Sequence, residues 1–168
     1  MSGRPEDHSH GELRERFRRL PAPELEAVAG RHAGSFPGPR AYGLACRYGM
    51  AATGLAGWHG KRFQAPAPGA REIDVTNLVR DGEAKPMLAR MAPSVTDGRP
   101  ALVCTYRSGE SPPYRWVRDE FRRWDERTLL GLAFLDVPVA PRTGLPFVLR
   151  CEGDARPAAA SGSAAQCR

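Results

Sequence analysis

The sequence predicts a mainly β (α+β) fold: a small antiparallel β-barrel or strongly curled sheet, with one or two N-terminal helices. Three observations carry this. Short β-prone runs follow one another in the second half: residues 101–106 (ALVCTY), 114–117, the two apolar runs of 121–135 around the polar break Asp125-Glu126-Arg127, and 146–150 (PFVLR). Short runs joined by brief polar turns favour an antiparallel meander, which tends to curl around a central cavity. The 18 glycines and 16 prolines among 168 residues favour many turns over long helices. Helical periodicity is concentrated near the start, where Leu13, Phe17 and Leu20 recur at 3.6-residue spacing.

In order along the chain, residues 1–10 read as a disordered tail, with His8 and His10 as tail residues rather than metal ligands. Residues 12–20 read as a helix ended by Pro21, and 23–29 as a second short one before Gly30. Residues 30–38 are turn-like. Residues 41–57 (AYGLACRYGMAATGLAG) fit either a short helix bearing Leu44, Tyr48 and Met50, or a strand beginning near Leu44. In 58–63, Trp58 and Phe63 are apolar anchors. Strand alternation puts His59 and Lys61 on one face and Arg62 on the other. Turned inward, that shared face would make a cationic site for a carboxylate or enolate; turned outward, a solubilising edge. The outward role is the expectation. In 73–79 (IDVTNLV), Asp74 or Thr76 is suited to cap a short helical turn. Residues 86–91 are strand-like. Alternation then groups Leu102, Cys104 and Tyr106 on one face of the next strand, and Tyr114 and Trp116 on one face of the following one. Residues 11–151 form one domain, and 152–168 a disordered C-terminal tail in which Cys167 is an exposed thiol.

Composition excludes more than it assigns. Net charge is +6, but the basic residues are scattered among acids and read as solvated surface. No RNP-like aromatic motif or zinc-finger spacing supports nucleic-acid binding. Cys46, Cys104, Cys151 and Cys167 have no C-x-x-C spacing. The polar N-terminus and the lack of a long apolar run argue against a leader or a membrane span, so the expectation is a cytoplasmic protein with free thiols. There is no G-x-S-x-G, P-loop, G-x-G-x-x-G or H-E-x-x-H, and neither metal nor cofactor is expected.

Residues 121–133, FRRWDERTLLGLA, resemble the signature of a small bacterial family named for a Gly-x-Trp-x-Gly motif (GXWXG), through Phe121, Arg122, Asp125, Glu126, Thr128, Leu130 and Gly131. Tyr106-Arg107 matches a Tyr-Arg pair of that family, and Trp58-His59-Gly60-Lys61-Arg62-Phe63 matches its Trp-x-Gly-Lys-x-Phe motif; Asp119 coincides with a family aspartate. The resemblance covers roughly residues 20–151 and implies a compact, lipocalin-like body without a known reaction. Two departures stand out. His32 replaces the naming tryptophan in Gly30-Arg31-His32-Ala33-Gly34, and the segment between Tyr106 and Asp119 is shorter than the family norm.

An apolar cavity with isolated ionisable groups suits a hydrophobic small molecule, and one proton donor or acceptor in it suffices for isomerisation or ring closure. The catalytic candidates are His32, His59, Asp119 and Arg107. The substrate-binding candidates are Tyr48, Trp58, Lys61, Tyr106, Tyr114 and Trp116. His32 is either a packing residue or a polar group turned into the cavity, and Asp119 and Arg107 either catalyse or pair across the sheet. The leading expectation is a cofactor-free cyclase or isomerase of specialised metabolism. The alternatives are a non-catalytic carrier of a hydrophobic molecule and a basic interaction protein. The partner is a hydrophobic ligand rather than nucleic acid or membrane, and a homodimer is compatible with the sequence.

Overall fold

The computed structural model describes residues 3–137 and 143–153. Eight strands form one closed antiparallel barrel: β1 (Gly30–Ser35), β2 (Gly60–Phe63), β3 (Glu72–Val79), β4 (Gly82–Pro93), β5 (Pro100–Tyr106), β6 (Val117–Arg123), β7 (Thr128–Leu135) and β8 (Leu145–Cys151). Each strand pairs with its sequence neighbours, and β1 closes the ring against β8, with Gly34 opposite Leu149. The predicted mainly β, lipocalin-like fold is therefore present, with every edge paired.

Alternation sorts side chains between two cores. Inward positions carry Phe63, Val75, Met87, Ala89, Leu102, Cys104, Phe121, Leu129, Phe147 and Leu149, which fill the barrel. Outward positions of β5, β7 and β8 carry Ala101, Val103, Leu130, Leu132, Phe134 and Val148, and these are covered by α1 (His10–Arg19) through Leu13 and Phe17. Ser9 caps α1 reciprocally with Glu12, satisfying amide donors at its first turn. Under α1 the outward Arg122 of β6 is fully buried. It donates to both carboxylate oxygens of Asp97 (2.7 and 2.8 Å) and to the carbonyls of Phe17, Arg99 and Pro100. Beside it Glu120 accepts from Ser94, the Val95 amide and Arg118.

The first half of the chain supplies more strand than its sequence suggests. Residues 30–35, read as turn-like, are β1. Residues 73–79 lie in β3, where Asp74 and Thr76 face outward to Arg107 and Glu83 and cap nothing. Tyr114–Trp116, read as a strand, is a 3-10 turn after Pro112-Pro113, with the Trp116 amide bonded to the Pro113 carbonyl. The N-terminal stretch is packed: Pro5 is buried, Glu6 pairs with Arg150 at 2.7 Å, and the His10 ring lies 4.2 Å from that of Tyr42. Residues 26–28 form a 3-10 turn. Cys46 and Cys104 are free thiols. Cys167 and the predicted C-terminal tail beyond Gly153 lie outside the described residues. Among the described residues, no helix is long and apolar enough to cross a membrane.

The alternatives for residues 41–57 resolve as helix α2 (Arg40–Ala52), lying between β1 and β2 at one end of the barrel. Its partly buried side is Tyr42, Cys46 and Met50, spaced four apart, whereas Leu44 and Tyr48 are 54% and 74% exposed. No α2 residue is fully buried. Gly38 and Gly54, on either side, have φ of +101° and +100°, which only glycine adopts without strain.

Candidate active site at the α2 end of the barrel

The inward alternation of four strands brings polar groups together inside an otherwise apolar interior. Lys61 Nζ lies 3.0 Å from Asp119 Oδ2 and donates to Asn77 Oδ1 at 2.8 Å and Met87 Sδ at 3.1 Å. Both charged side chains are below a tenth exposed. Trp58 Nε1 donates to the same Asn77 oxygen at 3.1 Å. Asn77 Nδ2 in turn donates to the Lys85 carbonyl at 3.0 Å and the Tyr106 hydroxyl at 3.2 Å. Asn77 can reach all four groups because a bulge between β3 and β4, with Lys85 at φ +51°, turns the Lys85 carbonyl toward it.

Burial, reinforced by the Asp119 charge, pushes the Tyr106 phenol well above its ordinary range, so it stays a neutral proton donor. Cys104, on the same inward face and the register partner of Asp119, is likewise pushed up by burial and remains a thiol.

A lid closes this end. The Tyr114 ring lies tilted against that of Tyr106, centroids 4.8 Å apart, and its hydroxyl donates to Thr53 Oγ1, just past α2, at 2.7 Å. Lys85 Nζ sits 4.7 Å over the Tyr114 ring and pairs with Glu110 at 3.0 Å. Trp58 forms the floor beneath α2, against Phe36 and Phe147.

Of the predicted site residues, Lys61, Asp119, Tyr106, Trp58 and Tyr114 come together here. Lys61 faces inward, correcting the expected outward role. His32 is the register partner of Lys61 and also faces the interior, 3% exposed, with the Phe63 ring edge-on at 5.2 Å. Burial lowers its pKa to about 4, so the imidazole is neutral, and Nδ1 has no hydrogen-bond partner.

Four predicted residues lie elsewhere. His59 is exposed because β2 begins one residue later; its Nδ1 meets the Gly57 carbonyl. Arg107 follows β5 and pairs outside the barrel with Asp74 rather than Asp119. Tyr48 faces solvent. Trp116 is half-buried, with the Arg115 guanidinium over its ring.

Asn77, Met87 and Cys104 were not among the predicted site residues. The signal for Asn77 is a lone amide at an inward position of Ile73, Val75, Asn77. Among the described residues, no group of three or more His, Cys, Asp or Glu side chains is placed to hold a metal ion. Two surface concavities, of about 600 Å³ at the β6–β7 turn and about 320 Å³ beside α1, do not touch the Lys61 network.

No family model matches this chain, and no curated protein matches it. Among solved structures it is similar to the crystal structure of a protein from Thermomonospora curvata, at 23% identity over 87% of this chain and 89% of that one, with a TM-score of 0.58. That likeness is one of fold alone.

Proposed function

We propose that this barrel is a cofactor-independent isomerase or cyclase acting on a small, largely apolar metabolite, in the cytoplasm and within specialised metabolism. One observation carries the reading: an ion pair, Lys61–Asp119, buried in a barrel core that apolar side chains otherwise fill. Desolvating two charges costs several kcal/mol per ion, and an apolar pair of the same volume would serve stability as well or better. In this reading Asp119 takes a proton from the carbon next to a carbonyl. Lys61 stabilises the oxyanion that develops, Tyr106 gives its own proton to the carbon that is reprotonated, and the proton held by Asp119 then restores the phenol. The aromatic rings of Trp58, Tyr106 and Tyr114 hold the substrate folded, which lowers the entropic cost of ring closure. Lys61 stands in the Trp-x-Gly-Lys-x-Phe motif of the GXWXG resemblance, and we read the chain as a divergent relative of that family.

The aromatic lining favours a second reading, a carrier that binds the same kind of molecule without changing it. Native mass spectrometry of protein purified gently from its own host separates the two. The released compound is then incubated with fresh protein in D2O. Deuterium incorporation or rearrangement by the wild type, lost in Asp119→Asn, supports the enzyme. Stoichiometric ligand returned unchanged makes it a carrier. Turnover unaffected by Asp119→Asn and Lys61→Met would remove this site from the reaction.

A further inference from the structure

The chain holds 25 Lys and Arg residues, and only Lys61 and Lys85 are lysines. Both stand at the α2 end of the barrel, one in the buried network and one over the Tyr114 ring. For its fully buried cation outside the barrel this chain uses arginine: Arg122, beneath α1, grips the more exposed Asp97 through a two-pronged fork and donates to three carbonyls. An arginine at 61 would match Asp119 by the same fork, and its charge is permanent. What a lysine supplies and an arginine cannot is an amine that becomes a nucleophile on losing one proton. The proton acceptor is in place at 3.0 Å, and the remaining contacts of Nζ are one amide oxygen and one thioether sulfur.

We infer that Lys61 is a covalent site: its amine condenses with an apolar aldehyde or ketone admitted beside Trp58 and Tyr106 when the α2 lid lifts from this closed end. The inference rests on the acid–base reading of this site and narrows its substrate to a carbonyl compound. Asp119 first takes a proton from the Lys61 ammonium. The Nζ lone pair then attacks the carbonyl carbon, forming the C–N bond as the C=O π pair moves to oxygen. That oxygen takes a proton from Tyr106, which regains one from the nitrogen. The protonated Asp119 supplies the proton with which the oxygen leaves as water. The products are an iminium carrying the charge the ammonium had, a carboxylate and one water. The iminium then draws electrons from the adjacent carbon, so the regenerated Asp119 can remove its proton. Entry follows from α2, which has no buried residue, has a positive-φ glycine on each side and is tied to the Tyr114 turn through the Tyr114–Thr53 hydrogen bond.

The test is reductive trapping. The full chain is incubated with 3-phenylpropanal and sodium cyanoborohydride, and its adducts are located by peptide mapping, with the unfolded chain as the control in which both lysines react. Preferential labelling of Lys61, at least about tenfold faster than Lys85, is expected, with Asp119→Asn slowing it about tenfold and Lys61→Arg leaving only the Lys85 and N-terminal adducts. Labelling of Lys85 at least as fast as Lys61 in the folded chain overturns the covalent site. In that case 3-phenylpropanol, which cannot condense, separates the two ideas. Quenching of the tryptophan fluorescence that is lost in both Trp58→Phe and Asp119→Asn leaves the acid–base reading standing, and no binding removes both.

Discussion

The backbone of Gly34 lies flat against the indole of Trp58: a β-carbon on Gly34 would fall 2.2 Å from Cη2 of that ring. The ring cannot retreat freely, because its Nε1 is tied to Asn77 and its faces to Phe36 and Phe147. Gly34→Ala should therefore destabilise the barrel by about 1–3 kcal/mol, the usual cost of overpacking. Urea unfolding measures it, and an emission shift that is absent in a Trp58→Phe background would show that the ring moved.

Lys61 and Asp119 should behave as a coupled pair. Lys61→Met or Asp119→Leu alone leaves an uncompensated buried charge and should cost about 3–5 kcal/mol. The double variant should recover most of that loss and approach or exceed wild-type stability, while losing any turnover. A double-mutant cycle in urea reads the coupling; additive losses would mean that the pair is not the unit described.

His32 imposes a pH dependence. Its folded pKa, about 4, lies below the ordinary imidazole value of 6.5 because burial disfavours the charged ring. Its contribution is fully present above pH 6.5. As pH falls from there toward 4 the unfolded chain takes up a proton that the folded chain refuses, and stability declines by roughly 3 kcal/mol. His32→Leu should flatten the stability curve across that window relative to wild type. Parallel curves from pH 7 to 4 would show that the ring is reached by water.

Asp97 acts at lower pH. Hydrogen bonds from Arg122 hold its carboxyl below the usual carboxylate range. Its support of Arg122 is whole above the ordinary value of 3.8 and is lost as pH falls through the depressed one. Asp97→Ala should cost about 1–3 kcal/mol at pH 7, because the buried guanidinium keeps its three carbonyls but loses its counter-charge. Its unfolding midpoint should then converge on that of the wild type in strong acid.

Tyr114→Phe removes the hydrogen bond to Thr53 while keeping the ring contact with Tyr106. Amides of Arg40–Ala52 should exchange several-fold faster in this variant, while those of β5–β8 keep their protection. Uniformly faster exchange would mean that the bond supports the whole fold rather than the lid.

The elements that the sequence reveals are those whose patterning is local. The α1 stripe of Leu13 and Phe17, the β6–β7 hairpin, β5 and β8 all show in their own residues. β3 is obscured because outward Asp74 and Thr76, bound to Arg107 and Glu83, resemble capping residues. Tyr114–Trp116 misleads because β-prone aromatics sit in a turn set by the prolines before them. In the site, alternation places Tyr106 on an inward face, and the fold brings Trp58, Lys61 and Asp119 to it. Whether Lys61 faces in or out depends on where β2 begins and on ring closure, and Asp119 reaches Lys61 only across the barrel. Such contacts between β2 and β6 leave no trace in either segment alone.

The seam between β1 and β8 has a consequence during synthesis. Residues 30–35 emerge early, yet their second partner, residues 145–151, follows more than a hundred residues later. At translation speeds of about 5–20 residues per second, the free edge of β1 waits on the order of ten seconds for its mate. The seam is also the longest-range pairing in the sheet, the kind of contact that slows folding. A nascent chain cut short before β8 carries two unsatisfied edges, each able to recruit a strand from another chain. Ribosome stalling in the last strand is therefore where this protein is most exposed to aggregation.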